Sequence, residues 1–266
     1  MSVVTFTLLW LSLVLYAAAF VACLAKANNR EANSLARPLL GVGVAIQLSM
    51  FIVMFVAKRF PSDYEVMNSL SKGFFTAMIL FFAMKRHETR LPSALGIGLA
   101  LFFILSRLYI SKNLTLQDTM AHAFSISTVL FYHFSSLAFA FFGYCFCLSI
   151  GYLADPAKGA PGGVKTGGML FKSALFGFVV FSFCQILGSA WSLTGGWGDV
   201  WIWASSHMVS AVVWIFYAGM LHVPSAKMPE KTLPVMGVVG FSFYIVWILY
   251  YDIAVFPAFK MFLSTL

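Results

Sequence analysis

The chain has 266 residues, of which 61% are hydrophobic and only 10% are charged, and its mean hydropathy is +0.90. This amount of polar surface is too small to cover a water-soluble globule. The composition therefore predicts that the chain is folded within a lipid bilayer. The formal net charge of +8 comes from Lys and Arg in short loops between apolar runs. Because these residues form no basic face, we interpret them as an orientation signal and exclude nucleic acid as a partner.

Eight apolar segments follow one another along the chain. They have about the 20 residues that a helix needs to cross a bilayer, and they lack the strict alternation of barrel strands. The sequence therefore predicts an all-α polytopic membrane protein with about eight transmembrane helices. The segments cover residues 5–25, 38–57, 66–84, 92–110, 121–152, 170–191, 206–222 and 233–251.

The basic residues divide unequally between the two sides of the predicted membrane. The first, third, fifth and seventh interruptions hold eleven of the 17 Lys and Arg, and the opposite side holds five. Cytoplasmic loops carry the excess of Lys and Arg, so both termini are predicted to lie outside. Lys72 falls within the third segment, where we expect its long side chain to snorkel outward.

The fifth segment carries two histidines. His122 and His133 are 11 residues apart, which on a helix is about 20° from the same face and about 16 Å of rise. One helix can thus present two imidazoles at two depths. Residues 154–168, with two prolines and five glycines, follow it as a predicted flexible inner loop between two four-helix halves.

An external loop of about residues 188–206 is rich in tryptophan. Trp197, Trp201 and Trp203 stand among glycines in a stretch with almost no charge. Tryptophan collects at bilayer interfaces in general, but three in seven residues exceed that habit. Flat indoles beside a histidine form a platform on which a porphyrin face can lie.

The seventh segment carries His207 and His222, 15 residues apart, which is about 60° of rotation and about 22 Å of rise. With the fifth segment it offers outer and inner histidine pairs. Imidazole is a good ligand for haem iron, and ionisable groups within a membrane are functional by default. The competing interpretation is that each histidine is only a hydrogen-bonded interfacial anchor. The four cysteines form no CxxC or CxxCH pattern, which indicates small core residues rather than covalent haem attachment.

These residues resemble the CcsA/ResC-type cytochrome c assembly proteins, also called the WWD-motif or HemX-like family. The family motif runs close to W-G-x-x-W-x-W-D, with a Trp at position 18 and a His at position 26. The residues in matching register are Trp197, Gly198, Trp201, Trp203, Trp214 and His222. The segment from Phe60 to Glu65 resembles the family's external P-x-N-x-Y-E segment, and His122 opens a long span as the family's first external histidine does.

The resemblance implies a single CcsA-like transmembrane domain over residues 1–266, in a bacterial cytoplasmic membrane. It implies non-covalent b-type haem, with His122 as an external axial ligand and His222 as an inner one. Family members take haem across or from the membrane and present it, reduced, to the CxxCH motifs of c-type cytochromes. They usually act with a CcsB/ResB-like membrane partner as parts of a holocytochrome c synthase.

Two departures from the family pattern leave room for other functions. Ala204 replaces the acidic residue of the motif, and Phe259-Lys260-Met261 stands where a second external histidine is expected. His207 is then a substitute for the missing outer ligand, and His133 an additional inner one. The main alternative is a diverged dihaem subunit that carries electrons between a membrane quinone and an external redox protein. A regulatory or scaffold protein of the HemX type is the third hypothesis.

Overall fold

A computed structural model describes residues 3–25, 29–56, 64–84, 90–110, 126–154, 163–194, 205–224, 228–229 and 231–253. Within these ranges the chain forms eight α-helices and no strand. The helices are α1 (Val3–Ala25), α2 (Asn29–Val56), α3 (Tyr64–Ala83), α4 (Arg90–Ile110), α5 (Ile126–Ala154), α6 (Gly163–Thr194), α7 (Ser205–His222) and α8 (Thr232–Ile253).

Each predicted apolar segment corresponds to one helix, but two helices begin earlier than hydropathy indicates. α2 begins at Asn29, nine residues before the predicted segment, and continues through Pro38. Proline in a helix removes one backbone donor, yet the polar turn before it stays helical. α6 begins at Gly163, so the predicted loop at 154–168 is wrong over its last six residues. Hydropathy marks the apolar part of a helix, whereas hydrogen bonding continues into polar turns.

Helices that follow each other in the chain run in opposite directions. Along α2 and α3, Arg37 contacts Phe81 and Gln47 contacts Leu70, so residue numbers rise on one helix as they fall on the other. The same order holds for α4 and α5, where Pro92 lies beside Gly151 and Phe103 beside Phe139. A chain that crosses a membrane with short connections needs this alternation of direction.

α5 is the central helix of the bundle. It packs against α3, α4, α6 and α8, while α1 and α2 pack mainly on each other and α7 packs on α6 and α8. Phe139 and Phe142 of α5 are fully buried, and Phe139 contacts Phe103 of α4 and Phe241 of α8. The α5 core thus joins the first four helices to the last three.

Apolar side chains also cover much of the outer surface. Val14 and Val21 on α1, and Ile52 and Phe55 on α2, are more than half exposed. In water such a surface would aggregate, whereas in lipid it is the expected boundary. Four stretches are long and apolar enough to cross a membrane: Val4–Ala25, Ser34–Val56, Leu130–Ala154 and Gly168–Ala190, with shorter apolar helices in α3, α4, α7 and α8.

The chain is therefore an all-α polytopic membrane protein, as the sequence predicted. The number of eight spans and the external position of both termini stay predictions. The expectation that the cysteines are core residues is confirmed, because all four are buried and unpaired.

Candidate functional site

His222 ends α7, and its side chain is exposed. Its Nδ1 lies 2.7 Å from the backbone oxygen of Ala218, one turn earlier. A carbonyl oxygen only accepts, so Nδ1 carries the proton and donates it. In the neutral ring the lone pair then resides on Nε2. A backbone carbonyl that orients one ring nitrogen in this way is the usual support of a histidine that ligates a metal through the other.

Trp214 is held on the same helix, two turns before His222. Its indole Nε1–H donates to Ser182 Oγ of α6 at 2.9 Å, and its ring lies 5.1 Å from the ring of Phe178. The indole is nonetheless 41% exposed. An exposed aromatic face fixed by a hydrogen bond at one edge is a preformed surface for a flat apolar ligand.

The depth of each histidine follows from the helix register. Gly188 of α6 lies against Phe131, and Gly177 against Phe142, so Thr194 lies towards the beginning of α5. Tyr217 of α7 stacks on Phe142 of α5 with ring centroids 3.7 Å apart.

α7 must run in the same direction as α5. The opposite direction would place Ser205 about 44 Å from Thr194, measured through the Tyr217 contact. The eleven Cα steps between these two residues reach at most about 38 Å.

His133 and His222 therefore lie far apart along the bundle. His133 is nine residues before Phe142 on α5, and His222 is five residues after Tyr217 on α7. The separation is about 21 Å along the helix axes, far more than one iron atom bridges. The nine-residue interval also turns His133 about 180° away from Phe142. The structure does not bring together the two histidines that the sequence assigned to the inner side.

His133 instead faces the first half of the bundle. Its ring lies 6.4 Å from the rings of both Phe51 on α2 and Phe75 on α3, in edge-on geometry. His207 is on α7 at about the depth of His133, ten residues before Tyr217, but α7 packs on the other side of α5. The ranges that the structure describes exclude the side chain of His207 and all of His122, Trp197, Trp201 and Trp203.

The predicted tryptophan-rich loop of about 188–206 is helical at both edges, because α6 continues to Thr194 and α7 begins at Ser205. The residues between them lie outside the described ranges.

The α3–α5 interface is polar, which hydropathy did not indicate. We call the side chains of Asn68, Ser71, Lys72, His133 and Ser136 the α3–α5 polar seam. Ser136 Oγ donates to Asn68 Oδ1 at 2.9 Å, and Lys72 Nζ lies 5.4 Å from the centroid of the Phe139 ring. The expectation that Lys72 snorkels outward is wrong, since the residue is 6% exposed and turns towards α5.

Clustered metal ligands are absent from the part of the chain that the structure describes. Among those residues, no three His, Cys, Asp or Glu side chains lie together as metal ligands. A haem iron does not need such a cluster, because the porphyrin supplies four nitrogens and the protein only the axial ligands.

The fold and the histidine at the end of α7 define a polytopic membrane protein with at least one orientated imidazole. No protein-family model matches this sequence. The chain is 31% identical over 75 residues to the cytochrome c biogenesis protein CcsA of Prochlorococcus marinus (strain MIT 9312). The match covers 28% of this chain and 24% of that protein, so it spans about a quarter of the relative's length. This partial likeness supports a CcsA-like family.

Proposed function

We propose that this protein handles haem in cytochrome c biogenesis and presents it at the external tryptophan-rich loop, about residues 188–206. The observation that carries the proposal is the partial likeness to a protein named for cytochrome c biogenesis. Its partners would be haem, a CcsB/ResB-like membrane protein and c-type cytochromes. Its location would be the bacterial cytoplasmic membrane, with both termini on the periplasmic side.

His222 is the proposed inner axial ligand. The hydrogen bond from Nδ1 to the oxygen of Ala218 fixes the imidazole plane and places the lone pair on Nε2. Because the residue is exposed at the helix end, a flat disc can approach Nε2 without displacing core side chains. Bound haem would supply the iron porphyrin that becomes attached to the CxxCH cysteines of a c-type cytochrome.

The outer side of the proposed site consists of His122, His207 and the three loop tryptophans, Trp197, Trp201 and Trp203. These side chains would hold haem non-covalently, as b-type, with indole faces against the porphyrin. His133 is left out of this set, because it faces α2 and α3 on the far side of α5.

The test measures haem in the purified protein. The pyridine haemochrome spectrum gives haem per polypeptide for wild type, His222→Ala and His122→Ala, with His87→Ala as the control for loss of a histidine outside both histidine-bearing segments. We expect substoichiometric b-type haem in wild type and His87→Ala, and loss of haem in the other two variants.

A deletion strain provides the second arm, because it should lose its c-type cytochromes if the protein acts in their assembly. Haem-free wild-type protein together with normal c-type cytochromes in the deletion strain would refute the proposal. Two stable, quinol-reducible haems per chain would replace it with the electron-transfer alternative.

A further inference from the structure

Polar side chains within a membrane bundle are costly and therefore functional by default. The α3–α5 polar seam brings five of them together at one interface, and Ser71, Lys72 and Ser136 among them are buried. His133 lies about 21 Å from His222 along the helix axes and faces away from α7. The seam is thus separate from the proposed haem ligand at the end of α7.

Ser71 carries a hydrogen-bonding group of the seam that is not satisfied. Its hydroxyl is 1% exposed, and Ser71 Oγ has no hydrogen-bond partner among the described residues. On α3, the Phe74 side chain contacts Phe51 of α2 and Lys72 reaches Phe139 of α5, so the helical period places Ser71 between these two directions. Phe75, one turn later, lies beside the His133 ring. The unsatisfied hydroxyl therefore lies on the side of α3 that faces the junction of α2, α3 and α5, where the His133 ring lies.

The beginning of α5 is less enclosed by other helices than its middle. Every residue from 131 to 135 is partly exposed, although together they cover all sides of the helix, whereas residues 138–140 and 142–145 are buried. On α2, which borders this junction through Phe51, the neighbouring Ile52 and Phe55 are exposed on the lipid-facing surface. The junction therefore lies close to the bilayer.

The groups at this junction indicate the chemistry of the ligand. Ser71 and Lys72 are hydrogen-bond donors, the one amide acceptor of the seam already receives a bond from Ser136, and no buried side chain that the structure describes is acidic. Phe51 and Phe74, with ring centroids 5.4 Å apart, add an aromatic wall. A planar, lipid-soluble molecule with acceptor oxygens matches these donors and aromatic rings.

We propose that the α3–α5 polar seam binds the carbonyl head group of a lipid-soluble quinone. Ser71 Oγ–H donates to one carbonyl oxygen, the imidazole of His133 contacts the head group from α5, and the phenylalanine rings cover the quinone ring. This site is independent of the proposed haem function, since none of its side chains is a proposed haem ligand.

The experiment uses the full chain in quinone-free lipid nanodiscs, titrated with 2-heptyl-4-hydroxyquinoline N-oxide, a fluorescent quinol analogue, and with decylubiquinone as competitor. We expect saturable quenching in wild type. Ser71→Ala should weaken binding about fivefold, the effect of one hydrogen bond, and His133→Phe should weaken it at least as much while keeping a ring.

Ser149→Ala is the matched control, because this buried serine is on α5 but donates to the oxygen of Cys145 on its own helix. It should bind the analogue like wild type, and so should His222→Ala, whatever its haem content. Non-saturable quenching in wild type would overturn the proposal. The proposal also fails if Ser71→Ala binds as tightly as Ser149→Ala, or if His133→Phe loses haem but keeps the analogue. Ser71→Ala is the smaller change, so it still tests the proposal if His133→Phe does not fold.

Discussion

Gln47 joins three helices through one buried side chain, and its replacement gives a sharp test of the packing. Its Oε1 accepts from Tyr16 OH of α1 at 2.8 Å, and its Nε2 donates to the oxygen of Leu70 on α3 at 3.1 Å. Both Gln47 and Tyr16 are fully buried, so neither water nor lipid headgroups can replace these bonds. Gln47→Leu removes both and strands the hydroxyl of Tyr16.

The expected losses follow from the two bonds. Hydrogen bonds between transmembrane helices contribute about 0.6 kcal/mol on average and up to about 1.7 kcal/mol, and a stranded buried hydroxyl costs about 1–3 kcal/mol. We expect Tyr16→Phe to lower the free energy of unfolding by about 1 kcal/mol and Gln47→Leu by about 2 kcal/mol. The double variant strands no hydroxyl, so it should cost about 1 kcal/mol less than the sum of the two.

The assay is reversible unfolding in mixed detergent micelles, with the four proteins of the double-mutant cycle compared under one condition. Ser49→Ala on α2 is the control, because this serine is exposed and donates only to the oxygen of Ala45 on its own helix; it should change stability by less than about 0.5 kcal/mol. Strictly additive losses in the double variant would show that the Tyr16 and Gln47 side chains do not interact as described.

Three further predictions use the same protein. Gly43→Ala would place a Cβ 2.6 Å from Cε1 of the buried Tyr16 ring and should lower the free energy of unfolding by about 1–3 kcal/mol through overpacking. The control Gly219→Ala meets nothing within 4 Å and should leave the stability of the protein unchanged. Equal melting points for the two variants would contradict this prediction. Arg37→Met removes the hydrogen bond from Nε to the backbone oxygen of Phe81 at 3.2 Å, which caps the last turn of α3. The variant should lower the free energy of unfolding by about 1 kcal/mol in the same assay. An unchanged unfolding midpoint would show that this bond does not stabilise the helix end. Alkaline phosphatase fused to the C-terminus should be active and a green fluorescent protein fusion dark, because the charge asymmetry predicts that this end is outside. The opposite pattern would show that the predicted topology is inverted.

Length, apolar periodicity and turn residues were sufficient to predict the helices. The eight segments cut at polar interruptions match eight helices because a transmembrane helix satisfies its own backbone hydrogen bonds, so its existence depends on local sequence alone. The helix ends are less predictable, as α2 and α6 show, since a polar turn that extends beyond the membrane carries no hydropathy signal.

The direction in which a polar side chain points was not readable from the sequence. Lys72 was expected at the lipid interface because a long side chain can snorkel, yet it lies over Phe139. His133 was grouped with His222 by spacing along separate helices, although the relative register of two helices is set by side-chain contacts such as the Phe142–Tyr217 stack. Gln47 and Ser71 could have been noticed as polar residues within apolar runs. The partners of Gln47 lie on other helices, however, and Ser71 Oγ has none among the described residues.

The sequence by itself determined that this is an all-helical membrane protein, and it supplied the candidate haem ligands, because both depend on composition and on local periodicity. Only the tertiary structure decided which of those residues share a depth and a side of the bundle. It separated His133 from His222 and placed His133, Lys72 and Ser71 around one interface. The physical reason is that helix packing depends on contacts between residues that are distant in the chain, such as a glycine against an aromatic ring or two aromatic rings against each other. The sequence of a single helix does not specify these contacts.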